Sequence, residues 1–408
     1  MPLNTPDPAA QQNPPANAPK LLFVITEDWF FCSHFLPMTR AAVAAGYHVG
    51  VAARFDKHRE QIEALGISCF DLSFERGRLN PFGATTLIWR IFRLYRDLRP
   101  DLVHHISLKP VILGSLAARL ARVPAMVNAI TGFGFLFTAK DPKLNWLRRV
   151  VGLALNMTVG APSSFVLLEN QDDRQVLLDR RITSAERITV VGGAGVDPDN
   201  YPAMPLPYRA GKPVQIALIA RMLWSKGIDL AVAAVAKARS NGCNVMLTLY
   251  GAPDPLNPAA ISEAQLREWS TEHGTNWAGK TDTVVAAWQQ ADIALLPSRG
   301  GEGLPRSLIE AAACGRPIIT TDVPGCREIV RHGETGLIVK PDDVDALARA
   351  IETLACDEVK RTAMAAASRA HFETRFTEQA VTSAVIKLYR QALSWALSTN
   401  RIDTVRLP

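Results

Sequence analysis

One stretch, from Asp292 to Val339, limits the possible folds more than any other. Asp292 to Pro297 is a short, nearly unbroken apolar run, which reads as a parallel strand covered on both faces. Gly300, Gly301 and Gly303 follow, and glycine lets a backbone take positive φ and approach a ligand closely. Pro305 fits the first position of a helix, where its missing N–H has no intrahelical partner. Leu308, Ile309, Ala311 and Ala312 continue that helix, and Gly315 with Pro317 ends it. The amides near Arg306 and Ser307 then lie at a helix N-terminus, a place for an anion and above all a phosphate.

Two carboxylates frame this turn, Glu302 in the loop and Glu310 more than one turn inside the helix. A plain phosphate clamp has no use for an acidic pair. A ligand with both phosphates and hydroxyls does, because carboxylates accept hydrogen bonds from sugar hydroxyls. Each glutamate taken alone also reads as structural, one a loop acid and the other favoured by the helix dipole.

Glu302 and Glu310 with the segments 311–319, 324–330 and 333–339 resemble the E-x7-E region of retaining, family-four-type glycosyltransferases of GT-B fold. The spacing of two glutamates is weak by itself. The ordered series over nearly fifty residues is specific.

A chain of 408 residues exceeds one ordinary domain, so two are expected. No apolar run approaches the ~18–20 residues that span a bilayer. Residues 1–20 are rich in Pro, Asn, Gln and Ala, which predicts a disordered tail rather than a signal peptide. Six scattered cysteines without a C-x-x-C pair suit a reduced, cytoplasmic protein. A net charge of +6 permits contact with anionic lipid and calls for no nucleic acid.

Along the chain, strand, helix and strand alternate from Leu21 onward, which predicts a doubly wound α/β fold. No G-x-G-x-x-G follows the first strand, so a dinucleotide cofactor is not expected. Residues 26–34 read as a loop carrying Trp29, Phe30 and Phe31, either tucked on the core or offered to an acceptor or membrane. Helix 87–98 carries a stripe of Leu87, Ile91, Leu94 and Leu98, with Arg90, Arg93, Arg96 and Arg99 interleaved with Trp89, Phe92 and Tyr95. Basic and aromatic residues together suit an anionic membrane surface, and a solvated face is the alternative. Segment 143–151 repeats the basic and apolar mixture. His104 and His105, with Lys109, stand at a strand end, where ligand crevices of parallel sheets lie. The segment from His104 through Gly134 resembles bacterial transferases that extend undecaprenyl-diphosphate-linked glycans for O-antigen, capsule, exopolysaccharide or protein glycans.

A proline-rich stretch, 203–213, reads as the linker. Expected domains are the tail 1–20, an acceptor-binding Rossmann-like lobe 21–202, the linker 203–213, a nucleotide-sugar lobe 214–377 and a helix 378–398 packing back on the first lobe. Arg221 and Lys226 flank a loop after strand 214–219, where two cations can hold a diphosphate. Residues 220–227 resemble the family's G-R-L-x-x-x-K-G, with Ala220 at the first position. Asp342 reads as the cap of helix 344–354.

The resemblance implies a GT-B enzyme that moves a hexose or N-acetylhexosamine from a UDP-sugar to a lipid-diphosphate-linked sugar, with retention and without a metal. It assigns catalysis to Arg221, Lys226, Glu302 and His105. Donor binding falls to Gly279, Lys280, Gly301, Gly303, Leu304, Pro305, Arg306, Ser307 and Glu310. Acceptor binding falls to His34, Lys109, Asn128, Thr131 and Gly132. Expected partners are the nucleotide sugar, the undecaprenyl-diphosphate glycan and an anionic membrane surface on the cytoplasmic side. A nucleotide-sugar epimerase and a silent membrane-associated scaffold are the competing readings.

Overall fold

The computed structural model describes residues 17–72, 81–132, 145–207, 211–254, 257–271, 274–300 and 303–399. Gly301, Glu302, Phe133, Gly134, Lys143, the tail to residue 16 and residues 208–210 lie outside them. The chain divides into two compact units, one running to Gly195 and resuming at Gln379, the other Val196–Glu378. The expected linker 203–213 falls inside the second unit rather than between the two.

The first unit is built on seven parallel strands: β1 Lys20–Glu27, β2 His48–Arg54, β3 Ser68–Asp71, β4 Leu102–Ile106, β5 Ala125–Ile130, β6 Ser164–Leu168 and β7 Ile188–Val190. Their order is β3-β2-β1-β4-β5-β6-β7. Every residue of β4, β5 and β6 is buried, as parallel strands with helices on both faces require. The helix Glu378–Ser398 sends Val381, Val385, Leu388, Tyr389 and Leu393 into the core of this sheet.

The second unit has six parallel strands: β8 Val214–Ile219, β9 Val245–Tyr250, β10 Thr275–Gly279, β11 Ile293–Leu296, β12 Ile318–Thr321 and β13 Gly336–Val339. The order β10-β9-β8-β11-β12-β13 reverses direction between β8 and β11. A crevice opens at such a reversal, outside the carboxyl ends of the strands, and ligands of open α/β sheets bind there. In the first sheet the corresponding reversal lies between β1 and β4.

Four local expectations are corrected. Residues 26–34 are not a loop: Asp28–His34 is helical. The Asp28 carboxylate accepts the amides of Trp29 (2.7 Å), Asp56 (2.8 Å), Lys57 (3.0 Å) and His58 (2.9 Å), so the turn after β2 fastens it. Burial alone would raise the pKa of Asp28, but these backbone bonds outweigh it and hold the carboxyl below its usual value. Tyr95 leaves the basic face and is buried. Pro305 is the N-cap of the helix Arg306–Ala313 rather than its first residue. Asp343, not Asp342, caps the helix Val344–Cys356, its carboxylate accepting the Ala346 amide at 2.8 Å.

Candidate functional site

In the second unit, the loops after β8 and β11 meet at the reversal point. After β8 the chain passes Arg221 and turns through Trp224–Lys226 into the helix Ile228–Ser240. Gly227 joins turn and helix with φ +69°, and a Cβ there would lie 2.0 Å from the Pro297 carbonyl oxygen. Only glycine permits that approach. The Ser225 carbonyl accepts the Arg299 amide at 2.8 Å, and the Ser298 hydroxyl reaches the same oxygen at 3.4 Å. The turn that bears Lys226 is thus bonded directly to the start of the glycine loop.

Arg221 is largely exposed and faces the Asp254 carboxylate at 3.5 Å. Asp254 lies in the loop after β9, so three strand ends contribute to one region. Gly251 adds to it: its φ is +146°, and a Cβ would stand 1.8 Å from the Ala220 carbonyl oxygen. The Gly251 amide donates to the Gly279 carbonyl at 2.8 Å, which brings in the end of β10. Lys280 follows at the surface.

The helix Arg306–Ala313 begins just past the glycine loop. Its first-turn amides, those of Arg306 and Ser307, have no carbonyl one turn back within the helix. Gly303 and Leu304 lead into it half-buried. Glu310, one turn on, is buried and accepts at Oε1 from the Tyr201 hydroxyl (3.0 Å) and from Arg306 Nε (2.9 Å). Both bonds fall on Oε1, so Oε2 keeps its capacity to accept hydroxyls. Burial, then the neighbouring Glu310 carboxylate, pushes the Tyr201 phenol well above its usual value, so it stays a donor.

In the first unit the structure separates the expected residues. His34, on the helix after β1, and Thr131, after β5, line one pocket with Phe35, Glu169 and Gly193. Lys109, in the first turn of the helix Leu108–Ala121, and Gly132, just past β5, are half-buried. His105 and Asn128 are wholly buried instead. His105 Nε2 meets the Tyr95 hydroxyl at 2.8 Å, and its Nδ1 meets Asn128 Oδ1 at 2.8 Å. Ser115 donates to the same Oδ1 at 2.9 Å, and Asn128 Nδ2 donates to Ser164 at 2.9 Å. One neutral tautomer, protonated on Nδ1, satisfies every member of this network. The strand continues to Ile106, so His105 lies inside β4 and not at its end. Here the expected catalytic role of His105 and acceptor contact of Asn128 give way to a core network. His104 is also buried and meets the Tyr389 hydroxyl at 2.7 Å. Burial drives both imidazoles down, His104 to about 3 and His105 to about 4.

Three residues near the candidate sites were not singled out for them from sequence: Glu169, Tyr201 and Arg299. Tyr201 lies over a hundred positions from the glutamate it meets, and no local pattern signals such a pair. Asp197 and Asp199, which have metal-ligand spacing, instead form a turn in which Asp197 accepts from the Asp199 amide (3.0 Å) and the Asn200 side chain (2.7 Å). Among the described residues no three His, Cys, Asp or Glu gather as a metal site, and no helix is long and apolar enough to cross a membrane.

Residues 20–159 match the glycosyl transferase 4-like family and residues 213–357 the glycosyl transferases group 1 family. The chain is a glycosyltransferase built from these two domains. It is 24% identical over 376 residues to N,N'-diacetylbacillosaminyl-diphospho-undecaprenol alpha-1,3-N-acetylgalactosaminyltransferase of Campylobacter jejuni, covering 88% of this chain and 96% of that one. It is 22% identical over 285 residues to an Escherichia coli UDP-Gal:alpha-D-GlcNAc-diphosphoundecaprenol alpha-1,3-galactosyltransferase, 66% of this chain and 70% of the relative. Among solved structures, Anabaena HepE in complex with UDP and glucose shares the fold with a TM-score of 0.70 at 18% identity, covering 91% of this chain and 99% of that one.

Proposed function

We propose that the protein transfers a hexose or N-acetylhexosamine from a UDP-sugar to a lipid-diphosphate-linked sugar during surface glycan assembly. The observation that carries this reading is the joining of the Arg221–Lys226 turn to the glycine loop ahead of a helix N-terminus. Two cations and a set of amides together suit a nucleotide diphosphate. The names of the two sequence relatives supply the acceptor class.

In this reading the bond from the sugar's anomeric carbon to the diphosphate breaks, and the acceptor hydroxyl attacks from the same face. Attack on that face retains configuration, and the hydroxyl's proton passes to the departing phosphate oxygen. Negative charge grows on the leaving group, and Arg221 and Lys226 meet it without a metal. Glu302 receives donor-sugar hydroxyls and Glu310 the ribose hydroxyls, while 303–307 supply amides. Gly279 and Lys280 border the base. On the other unit, the pocket of His34 and Thr131 receives the acceptor, with Glu169 as an added acceptor of sugar hydroxyls, Gly132 next to Thr131 in the chain, and Lys109 from the helix after β4.

We place the enzyme at an anionic membrane surface on the cytoplasmic side. Trp89 is 56% exposed with the Arg93 guanidinium 4.9 Å from its ring centroid, and Arg90 and Arg96 are exposed on the same helix. The helix Asn145–Thr158 exposes Val150, Leu153 and Met157 at helical spacing. Sedimentation with phosphatidylglycerol vesicles, against phosphatidylcholine vesicles, tests this.

The functional test pairs a UDP-sugar panel with synthetic lipid-diphosphate monosaccharides, with and without EDTA. A transferred sugar is expected, unchanged by chelation, and Lys226→Ala should lower kcat about 10²–10³-fold. Full turnover by that variant would remove the role given to Lys226. A new sugar nucleotide formed without acceptor would point to an epimerase.

A further inference from the structure

Arg299, the first residue after Ser298 in the glycine loop, is the most heavily bonded side chain in this region. Its Nη1 and Nη2 fork the two Asp229 oxygens at 2.8 and 2.7 Å, and its Nε meets Asp342 at 2.7 Å. Nη1 also donates to the Trp224 carbonyl at 2.6 Å, and its own amide to the Ser225 carbonyl at 2.8 Å. Trp224 and Ser225 form the turn that ends in Lys226, and Asp229 sits in the first turn of the helix that follows. The side chain is only 28% exposed, and its charge is matched by two carboxylates. It is therefore no phosphate ligand itself.

We propose that Arg299 is a positioning residue that locks the Lys226 turn onto the glycine loop before substrate arrives. This rests on the donor-binding reading above. The diphosphate pocket takes cations from one loop and amides from the other, so its affinity depends on their fixed spacing. A turn left loose must be ordered at the moment of binding, and that ordering opposes binding. The planar fork explains the choice of residue, since lysine cannot hold both Asp229 oxygens in one plane.

The test is calorimetric titration of UDP into the full chain, at a temperature where circular dichroism shows every variant folded. Arg299→Lys and Asp229→Asn should each raise the UDP Kd ten- to a hundredfold. The double variant should be no weaker than the worse single one, because both remove the same coupling. With donor saturating, kcat should stay within about threefold, so the loss appears in the donor KM. Lys237→Ala provides the control: Lys237 lies on the same helix as Asp229 but away from the loop, its loss breaks a 2.6 Å ion pair with Asp345 of the helix Val344–Cys356, and Kd should stay within twofold. Wild-type affinity in both clamp variants overturns the inference, as does equal weakening in the control. Should Arg299→Lys fail to fold, Asp229→Asn carries the test. A wild-type chain that binds none of UDP, GDP and ADP overturns the donor reading first, and this inference with it.

Discussion

Acid should unfold the first unit through its two buried histidines. The unfolded imidazole takes a proton near pH 6.5, while His105 in the fold waits until about 4 and His104 until about 3. As pH falls below 6.5 the unfolded chain therefore binds more protons than the native one. The stabilising difference is whole above 6.5 and drains away between 6.5 and the folded values. At pH 5 about 1.5 units of that window have been crossed, and at ~1.4 kcal/mol per unit each histidine costs about 2 kcal/mol. Two such losses are a large share of the ~5–15 kcal/mol that holds a domain together. The assay is hydrogen exchange of the β4 and β5 amides from pH 7.5 to 5, comparing wild type with His105→Gln. The variant starts less stable, because Tyr95 and Asn128 lose their shared partner. Its pH curve should nevertheless be flatter by about 2 kcal/mol at pH 5. Parallel curves for the two proteins would refute the reasoning.

Three further outcomes are expected. Gly227→Ala forces a side chain into the left-handed region and against the Pro297 carbonyl, so it should destabilise the second unit by ~2 kcal/mol or more in calorimetric melting and weaken UDP binding. Asp28→Asn keeps the shape but removes the charge that gathers four backbone amides. It should cost about 1–3 kcal/mol at neutral pH by urea unfolding. The gap to wild type should close only as pH drops below the ordinary aspartate value, because the depressed pKa stabilises the fold above it. Tyr201→Phe removes one hydrogen bond to Glu310, and donor KM should rise less than tenfold with kcat nearly unchanged.

The second unit was the more legible in sequence. Strand Val214–Ile219, strand Ile293–Leu296 and the helix Arg306–Ala313 follow from apolar runs bounded by Gly and Pro. These signals are local. What escaped depends on distant partners: Asp28 is held by amides some thirty residues on, Arg299 by Asp229 seventy residues back. His105 shows a different limit. In a sheet covered on both faces every strand residue is buried, so alternation no longer tells which side chain reaches a crevice. One residue of error in the strand end was enough to move it from pocket to core. Asp343 caps in place of Asp342 for a similar reason: either acid can cap, but Asp342 has φ +61° and its carboxylate is held by the distant Arg299.

The helix Glu378–Ser398 has a consequence for how the chain is made. Tyr389 and its neighbours cover His104 and the apolar face beneath it, yet they are translated some 180 residues after Gly195. At ~5–20 residues per second the ribosome needs roughly 10–40 s to deliver them. Throughout that interval the amino-terminal sheet emerges with one greasy side bare, and a message cut short before codon 378 yields a product that cannot close it. Nascent chains of this protein should therefore be clients for chaperones on the ribosome, even while the unit being synthesised behind them is free to fold.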